Sequence, residues 1–327
     1  IPIWRCDTCD HHQCFGSKEE LRVAADKSSK ALLDSNELDL HRPYIDRVTL
    51  ECPHCRGTMR RIPEVTDAWY DSGAMPYAQF HYPFENQSLF ERGFPAEFIA
   101  EGLDQTRGWF YTLIVLGTAL YGVSPFKNVI VNGIVMAENG KKMSKRLRNY
   151  TPPDELMETY GADALRLYLI NSGLVRAEEQ RFADTGVKDM VRRALLPWLN
   201  AFKFLHTYTQ IDNWQPQATA IASDNIMDQW ILSRLESLKA NIAVEMEGYR
   251  LYNVVPALFD FIEDLTNWYI RLNRSRFWAE GESRDKLAAY QTLYTTILEL
   301  SISMAPFAPF LSETIYQSLK AISDEVA

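Results

Sequence analysis

The sequence lacks several features that define large protein classes. It has no apolar run of about 18 residues, the length that a membrane-spanning helix needs. It has no basic-then-apolar leader, no internal repeat and no low-complexity tract, so neither secretion nor a repeat architecture is indicated. Positive charge is not in excess either, since 34 lysines and arginines stand against 43 aspartates and glutamates. The net charge of −9 argues against a surface coated for nucleic acid and leaves room for a local basic site.

The composition is that of a globular protein with more than one core. Hydrophobic residues make up 46% of the chain and charged residues 24%. Its 327 residues fit two or three domains. The chain begins at Ile1 without a methionine, which we interpret as part of a longer protein.

The sequence contains five cysteines, and most of them occur at a regular spacing. Four of the five cysteines form two Cys-x-x-Cys pairs, Cys6/Cys9 and Cys52/Cys55. Two such pairs can offer four thiolates to one tetrahedral zinc ion, and Gly57 would allow a tight turn after the second pair. Disulfides and free thiols are the alternatives, and disulfides are disfavoured inside cells. Cys14, His11 and His12 are spare candidate ligands. A four-thiolate site has no open position, so we expect a structural role.

Three regions follow one another along the chain. Residues 1–62 mix short apolar runs, cysteines and polar residues, as in a small metal-stapled module. Residues 63–185 predict an α/β region, and residues 186–327 have helical periodicity and predict a helical bundle.

The α/β region contains a strand–helix–strand pattern. The strands are predicted at residues 97–100 and 127–131, and the helix between them is predicted to run through Trp109 to about Tyr121. This order predicts a parallel sheet, with ligands beyond the carboxyl ends of its strands. Glu101, Gly102 and Asp104 follow the first strand, which we expect to be buried, and Asp104 can also cap the helix.

A hairpin and a helix start are predicted further along. An Asn139-Gly140 turn follows a short apolar stretch and leads into a basic loop. A helix is predicted to begin within residues 151–155, where prolines precede acidic residues.

The helical region shows three apolar faces. They are predicted over residues 227–242, 258–272 and 290–300. Pro306 and Pro309 interrupt the pattern, and Ser312 could cap a final helix.

The basic loop carries the first chemical motif. Its residues Lys142-Met143-Ser144-Lys145-Arg146 resemble the KMSKS loop of class I aminoacyl-tRNA synthetases, with Arg146 in place of the last serine, a variant familiar in eukaryote-like members. When a carboxylate attacks the α-phosphate of ATP, negative charge builds on the triphosphate. Two lysines on a mobile loop can stabilise that charge in the transition state, and Ser144 can add a hydrogen bond. The alternative is a solvated basic turn.

A second motif resembles isoleucyl-tRNA synthetases in particular. It runs from Glu101 to Trp109. The resemblance implies that Glu101, Gly102, Asp104 and Gln105 hold the ribose and aminoacyl parts of the adenylate. Carboxylates at a strand end can accept hydrogen bonds from hydroxyl or ammonium groups. The alternative is a helix-capping Asp104 and a surface Glu101.

A third motif, at residues 67–73, resembles the family pattern D-x-W-F-[DE]-S-G with Tyr70 in place of phenylalanine. In the family, the counterparts of Trp69 and Trp109 wall the isoleucine side-chain pocket, whereas a lone tryptophan is more often a core residue. By the same resemblance, Met143 and Gly133 belong to the ATP site, with Gly133 beside adenine.

The resemblance continues through residues 160–166, which in the family link the catalytic sheet to the helical domain. In residues 267–276, arginines alternate with aromatic residues, a pattern suited to contact with tRNA. A solvated charged face is the alternative there.

The resemblance covers nearly the whole chain. It implies the C-terminal half of a class I Rossmann-like catalytic domain with a zinc module (α/β), followed by an all-α tRNA-binding bundle. It also implies ATP with Mg²⁺, isoleucine and tRNA(Ile) as substrates, a structural zinc ion and a cytoplasmic location. No HIGH-type motif and no editing insertion are found, so we expect the chain alone to be inactive. A valyl- or leucyl-tRNA synthetase and a non-catalytic zinc- and RNA-binding paralogue are the alternatives, and the oligomeric state is open.

Overall fold

A computed structural model of the chain describes residues 1–34, 39–65, 67–144, 146–217 and 223–324. The chain divides into two units. The first comprises Ile1–Pro95 and Arg107–Pro125, and the second comprises Ala96–Thr106 and Phe126–Ala327. This division runs through the predicted α/β region, and the boundaries expected near residues 62 and 185 stay a prediction.

The strands lie within residues 3–181 of the described chain, and the longest helices follow them. The strands are β1 Ile3–Cys6, β2 His12–Cys14, β3 Thr49–Glu51, β4 Thr58–Arg61, β5 Ala96–Gly102, β6 Phe126–Asn132, β7 Val135–Met136 and β8 Gln180–Arg181. The α-helices are α1 Lys18–Ala24, α2 Lys27–Asp34, α3 Ala68–Gly73, α4 Met75–Ala78, α5 Gln87–Gly93, α6 Trp109–Tyr121, α7 Pro153–Tyr160, α8 Ala162–Ile170, α9 Asp184–Met190, α10 Leu196–Ile211, α11 Ile226–Glu247, α12 Leu251–Glu263, α13 Arg271–Trp278, α14 Arg284–Met304 and α15 Pro309–Asp324. Short 3-10 helices lie at Ile45–Arg47, Leu103–Arg107 and Gly173–Arg176, and π-helical segments at Val191–Leu195 and Asp264–Ile270.

The first unit begins with a four-stranded antiparallel sheet in the order β2-β1-β4-β3. Trp4 in β1 pairs with Gln13 on one side and Arg61 on the other. Its indole is buried and donates a hydrogen bond to Val48 O at 2.9 Å. Apolar side chains of the sheet and of α1 and α2 form a core of their own, which consists of Trp4, Cys6, Phe15, Leu21, Ala25, Leu33, Ile45, Val48, Leu50, Cys52 and Met59. The cysteine pairs are therefore attached to a packed module.

Helix α6 ends at Tyr121, as predicted, and begins at Trp109, a residue that the predicted helix includes. The prediction that Asp104 caps it is wrong, because the N-cap is Gly108. A 3-10 turn, Leu103–Arg107, separates the strand from the helix, so Asp104 comes too early in the chain for this role.

The second unit contains the parallel pair β5–β6, as the strand–helix–strand order predicts. Glu101 lies beside Val131 and Gly102 beside Asn132. The expected burial of residues 97–100 is wrong, since Ile99 is the buried residue of that segment. Within the described part of the chain β5 pairs with β6 alone, so most of its side chains stay in contact with solvent.

The predicted hairpin before the basic loop is present. Ala137 N–H donates to Lys141 O at 2.9 Å, and Gly140 adopts a φ of 74°, which favours glycine. Strand β7 also pairs in parallel with β8, with Val135 beside Gln180.

Helices α7 to α15 share one large apolar core. Helices α11 and α14 contain the first and third apolar faces that the periodicity predicts. The second predicted face is right as far as Tyr269 and fails at Leu272, which is 58% exposed. Segment Asp264–Ile270 is π-helical, and its extra residue per turn shifts the register of the face. Asn273 takes the buried position instead.

Helix α15 begins at Pro309. The predicted cap Ser312 is wrong, because it lies inside the helix, where its buried hydroxyl has no hydrogen-bond partner among the described residues. The cap comes from α8. The Asp163 carboxylate accepts hydrogen bonds from the N–H groups of Phe310 at 3.3 Å and Leu311 at 2.8 Å. These N–H groups would otherwise be unsatisfied, and the negative charge also interacts favourably with the positive end of the helix dipole.

Among the described helices, none is both long and apolar enough to cross a membrane.

Candidate active site and metal centre

The four cysteines of the two pairs come together at one end of the antiparallel sheet. Their sulfur atoms all lie within 4.8 Å of one another. Cys6 Sγ is 3.4 Å from Cys55 Sγ, and Cys9 Sγ is 3.6 Å from Cys52 Sγ. A disulfide bond measures about 2.05 Å, so the four thiols are unpaired. Four Zn–S bonds of about 2.3 Å would place the sulfur atoms of a tetrahedron about 3.8 Å apart, close to the distances observed.

The backbone makes the same turn at both pairs. In each, the N–H group of the first cysteine donates to the carbonyl five residues later at 2.8 Å. The residue after each second cysteine is left-handed, with φ of 57° at Asp10 and 61° at Arg56. The role expected of Gly57 was therefore wrong, because Arg56 makes the turn. A glycine is needed there for space, since a Cβ would lie 2.6 Å from Thr8 Oγ1.

Backbone N–H groups are directed at the sulfur atoms. Those of Thr8 and Gly57 donate to Cys6 Sγ and Cys55 Sγ, each at 3.4 Å. Hydrogen bonds from the backbone of Cys9 and Thr8 lower the pKa of Cys6 to about 6. The Gly57 N–H lowers the pKa of Cys55, but the neighbouring thiols of Cys9 and Cys6 outweigh it and raise that pKa to about 12. Thiolates this close repel one another, and a bound dication removes that repulsion.

The spare candidate ligands do not join this cluster. Across the described residues, the group of ligand atoms close enough to hold one metal ion consists of the four cysteines. Cys14 is exposed at the end of β2. His11 stacks on His54, with ring centroids 4.0 Å apart, and His12 is exposed.

Polar residues gather at the carboxyl end of β5. Glu101 and Gly102 end the strand, and Asp104 and Gln105 follow in the 3-10 helix. The Asp104 carboxylate folds back over Gly102, where a Cβ would lie 2.6 Å from Asp104 Oδ1. Gln105 Nε2 donates to Asp104 Oδ2 at 3.3 Å. Glu101 and Asp104 are exposed, so their carboxylates can accept hydrogen bonds from hydroxyl or ammonium groups.

Gly133 follows the carboxyl end of β6, beside the end of β5. Its N–H group donates to Leu174 O at 2.8 Å. A Cβ here would lie 1.7 Å from the backbone oxygen of Glu178, a contact that no side-chain movement can relieve. Packing alone therefore requires a glycine at this position, and its place beside adenine stays a prediction.

Trp69 and Trp109 lie on a pair of packed helices, α3 and α6, in the first unit. The indole of Trp109 donates to Ser72 O at 3.0 Å, one turn along α3 from Trp69. Gly73 permits the close approach, since a Cβ would lie 2.9 Å from Thr112 Cβ. Trp69 is 43% exposed, which is not the environment of a core side chain. An exposed tryptophan on a rigid helix pair is suited to wall an apolar pocket.

The basic loop leaves the hairpin at Lys142, whose side chain is exposed. Met143 is half-buried and packs against the helical core. Ser144 O accepts a hydrogen bond from Arg148 N–H at 3.0 Å, so the chain turns back at Ser144. Lys145, which the sequence predicts as a catalytic residue, lies outside the described residues.

Arg276 ends the segment in which arginines alternate with aromatic residues. It is nearly buried and donates to both carboxylate oxygens of Asp228 at 2.7 and 2.8 Å. It also pairs with Asp285 at 2.7 Å. Its guanidinium is engaged inside the protein, so the predicted contact with tRNA does not apply to this residue.

Arg274 belongs to a different environment. With Arg192 and Arg193 it lines an open cleft of about 550 Å³ between α10, α12 and the two π-helical segments. Asn200 and Asn267 add side-chain amides to this cleft. Arg192, Arg193 and Asn200 were not singled out from the sequence, because they lie far along the chain from residues 267–276.

Comparisons with known families divide the chain into a catalytic and a helical part. The family described as tRNA synthetases class I (I, L, M and V) matches residues 1–181. The anticodon-binding domain of tRNA ligase matches residues 228–326. The predicted order, a class I catalytic region followed by a helical tRNA-binding region, is thereby confirmed.

Curated relatives have the same amino acid as this chain at about half of the aligned positions. An isoleucine–tRNA ligase of Bdellovibrio bacteriovorus is 51% identical over 98% of the chain and 30% of its own length. A probable cytoplasmic isoleucine–tRNA ligase of Dictyostelium discoideum is 50% identical over the same shares. The cytoplasmic isoleucine–tRNA ligase of Mus musculus is 48% identical over 99% of the chain and 26% of its own length. The chain thus spans about 30% of the length of such relatives.

Solved structures share the fold at low sequence identity. LeuRS of Agrobacterium radiobacter, in a ternary complex with tRNA and LeuAMS, matches 98% of this chain and 39% of its own, with a TM-score of 0.66 and 20% identity. Methionyl-tRNA synthetase of Mycobacterium tuberculosis matches 78% of this chain and 51% of its own, with a TM-score of 0.65 and 19% identity. The family match over more than half of its residues shows that the chain belongs to the class I tRNA synthetases of the isoleucine, leucine, methionine and valine group.

Proposed function

We propose that this chain belongs to an enzyme that activates L-isoleucine with ATP and Mg²⁺ and transfers the isoleucyl group to tRNA(Ile). The observation that carries the proposal is the carboxyl end of β5. Glu101, Gly102 and Asp104 lie together at the strand end where parallel sheets bind ligands. The chain that carries them is 51% identical in sequence to an isoleucine–tRNA ligase. Their carboxylates would accept hydrogen bonds from the ribose hydroxyls and the ammonium group, and Gln105 would add a side-chain amide.

The basic loop supplies the phosphate chemistry in this proposal. Lys142 and Lys145 stabilise the charge that builds on the triphosphate as the isoleucine carboxylate attacks the α-phosphate and pyrophosphate leaves. Ser144 donates a hydrogen bond to the same oxygens, and Met143 and Gly133 belong to the ATP site. The exposure of Lys142 supports this role, because its ammonium group is available to a ligand.

Trp69 and Trp109 wall the pocket for the isoleucine side chain. The exposed face of Trp69 and the hydrogen bond that fixes the Trp109 indole support this assignment. A fixed apolar wall favours a branched aliphatic side chain of one size over larger and smaller ones.

The four clustered cysteines hold a structural zinc ion. Soft thiolate ligands at tetrahedral spacing select zinc, and a four-sulfur site leaves no position for substrate. Cys6, Cys9, Cys52 and Cys55 would each supply one thiolate. Bound zinc would tie the turn between β1 and β2 to the turn between β3 and β4 and so stabilise the module.

The helical region binds tRNA, and the cleft lined by Arg274, a residue of the segment 267–276, supplies the basic surface. We assign residues 1–62 to the zinc module, residues 63–185 to the catalytic region and residues 186–327 to the tRNA-binding region. The relatives from mouse and Dictyostelium are named cytoplasmic, which supports the same location here.

Isoleucine-dependent ATP–pyrophosphate exchange by the whole protein that the gene encodes tests the roles of the loop lysines. Removing one cation that acts in the transition state lowers kcat by roughly 100-fold. We expect this loss for Lys142→Ala and for Lys145→Ala, with the KM for isoleucine nearly unchanged. Lys30→Ala, an exposed lysine on α2, is the matched control and should keep full activity. Full activity in both loop variants would refute the proposed role, and a wild-type protein without exchange would favour a non-catalytic RNA-binding paralogue.

A further inference from the structure

The Asn149 side chain forms two hydrogen bonds with the backbone of the basic loop. Its side-chain Nδ2 donates to Lys142 O at 3.2 Å, and its Oδ1 accepts a hydrogen bond from Ser144 N–H at 2.9 Å. These two peptide groups flank Met143. One half-buried amide therefore holds the backbone on both sides of Met143.

A backbone turn between Ser144 and Arg148 brings Asn149 close to Lys142 and Ser144. Ser144 O accepts the Arg148 N–H, which folds the chain into a turn. Arg148 then adopts a φ of 46°, a left-handed conformation that non-glycine residues rarely take. This conformation ends the turn and returns the chain towards Lys142. An uncommon backbone conformation persists where the surrounding contacts determine it.

The ends of the loop are fixed separately. At the start, Ala137 N–H donates to Lys141 O at 2.9 Å within the hairpin. At the end, the Thr151 hydroxyl donates to Asp184 Oδ2 at 2.7 Å, which ties the chain to the start of α9. Lys142 also forms an antiparallel bridge with Met136 of β7, and the Met143 side chain packs against the helical core. Asn149 adds the side-chain hydrogen bonds that join the carbonyl group of Lys142 to the N–H group of Ser144.

We propose that Asn149 is a positioning residue for Lys142 in the basic loop, an inference that rests on the proposed function. It holds the backbone of Lys142 and Ser144 so that the Lys142 ammonium group meets the triphosphate in one geometry. A group held in place before the reaction needs no reorganisation in the transition state. An amide suits this task because it is both a donor and an acceptor, whereas aspartate lacks the donor and alanine lacks both.

The test compares Asn149→Ala with wild type in the native protein. Hydrogen exchange of the backbone amides around Met143 and Ser144 measures how strongly the Asn149 side chain restrains the loop, a restraint called the Asn149 brace. Isoleucine-dependent pyrophosphate exchange measures the effect of this brace on catalysis. We expect faster hydrogen exchange in this loop, a kcat lower by about 10- to 100-fold and a KM for isoleucine within about two-fold of wild type. Asn241→Ala, at an exposed position on α11, is the matched control and should change none of these.

A second variant separates bracing from loss of fold. Asn149→Asp has the same size and keeps the acceptor for Ser144 while losing the donor for Lys142, so it should also lower kcat with an unchanged melting temperature. Unchanged loop hydrogen exchange and unchanged kcat in Asn149→Ala would overturn the proposal. If wild type shows no isoleucine-dependent exchange, the proposed function fails, and the hydrogen exchange comparison still decides whether Asn149 braces the loop.

Discussion

Replacing Arg276 with methionine is expected to destabilise the helical region strongly. The Asp228 side chain is 0% exposed and that of Arg276 is 10% exposed. Methionine keeps much of the apolar stem and removes the two hydrogen bonds and the charge that face the carboxylate. The buried Asp228 would be left with the hydroxyl groups of Tyr269 at 2.7 Å and Ser223 at 2.6 Å.

The expected loss follows from leaving a buried charge without its partner. Breaking such a pair costs about 3–5 kcal/mol, and the exposed pair with Asp285 adds less than about 1 kcal/mol. The matched control is Arg274→Met on the same helix, which lines an open cleft and should cost no more than about 0.5 kcal/mol. The double variant Asp228→Leu/Arg276→Met removes both charges and should recover most of the loss.

Urea unfolding followed by tryptophan fluorescence and by far-ultraviolet circular dichroism measures these differences. Equal midpoints for Arg276→Met and Arg274→Met, both close to wild type, would show that the Arg276–Asp228 pair does not stabilise the helical region. A variant Arg276→Met of unchanged stability and weakened tRNA binding would show that Arg276 contacts RNA after all, as the sequence pattern alone suggested.

Three further predictions follow from the cysteine cluster, the cap of α15 and the titration of Asp228. Metal analysis should find about one zinc ion per chain, and Cys52→Ser should lower the melting temperature while Cys14→Ser leaves it unchanged; a metal-free protein whose melting temperature ignores chelators would contradict the site. Asp163→Ala removes the α15 cap and should cost about 1–2 kcal/mol in urea unfolding, and a neutral result would show that the cap is dispensable. Burial raises the pKa of Asp228, but hydrogen bonds from Arg276 and the nearby hydroxyls outweigh it and hold that pKa below its ordinary value. Its stabilising effect is therefore complete above the unfolded pKa of about 3.9 and is lost as pH falls through the folded value, so the gap between wild type and Asp228→Asn should shrink in acid and not near neutral pH.

Much of the fold could be predicted because local patterns determine it. Helix α6 ends at the predicted residue, since its apolar stretch is followed by Gly122, a left-handed glycine that suits a helix end. The parallel pairing of β5 with β6 followed from strand–helix–strand order. The two cysteine pairs met because antiparallel β1 and β4 bring both turns to the same end of the sheet.

The errors arose where distant residues or an irregular helix take over. Leu272 is exposed because the π-helical segment before it shifts the helical register, which a period of 3.6 residues does not anticipate. Asp163, rather than Ser312, caps α15 because the tertiary fold brings α8 to that helix end. A single sequence without spatial information does not pair such residues.

The candidate site could be predicted in its residue types and less in its supporting contacts. The strand-end carboxylates and the basic loop were evident from motif resemblance. The restraints on them were not, because the Asn149 brace depends on a left-handed turn at Arg148. The close contact of Gly133 with Glu178 likewise depends on tertiary packing.

Amino-acid-dependent ATP–pyrophosphate exchange by the native protein, with isoleucine, valine, leucine and methionine compared, tests the proposed function. We expect the highest kcat/KM for isoleucine, together with a loss of that preference when Trp69 is replaced by alanine. A higher kcat/KM for another of the four amino acids would contradict the assignment of the pocket, and exchange with none of them would contradict the enzymatic function.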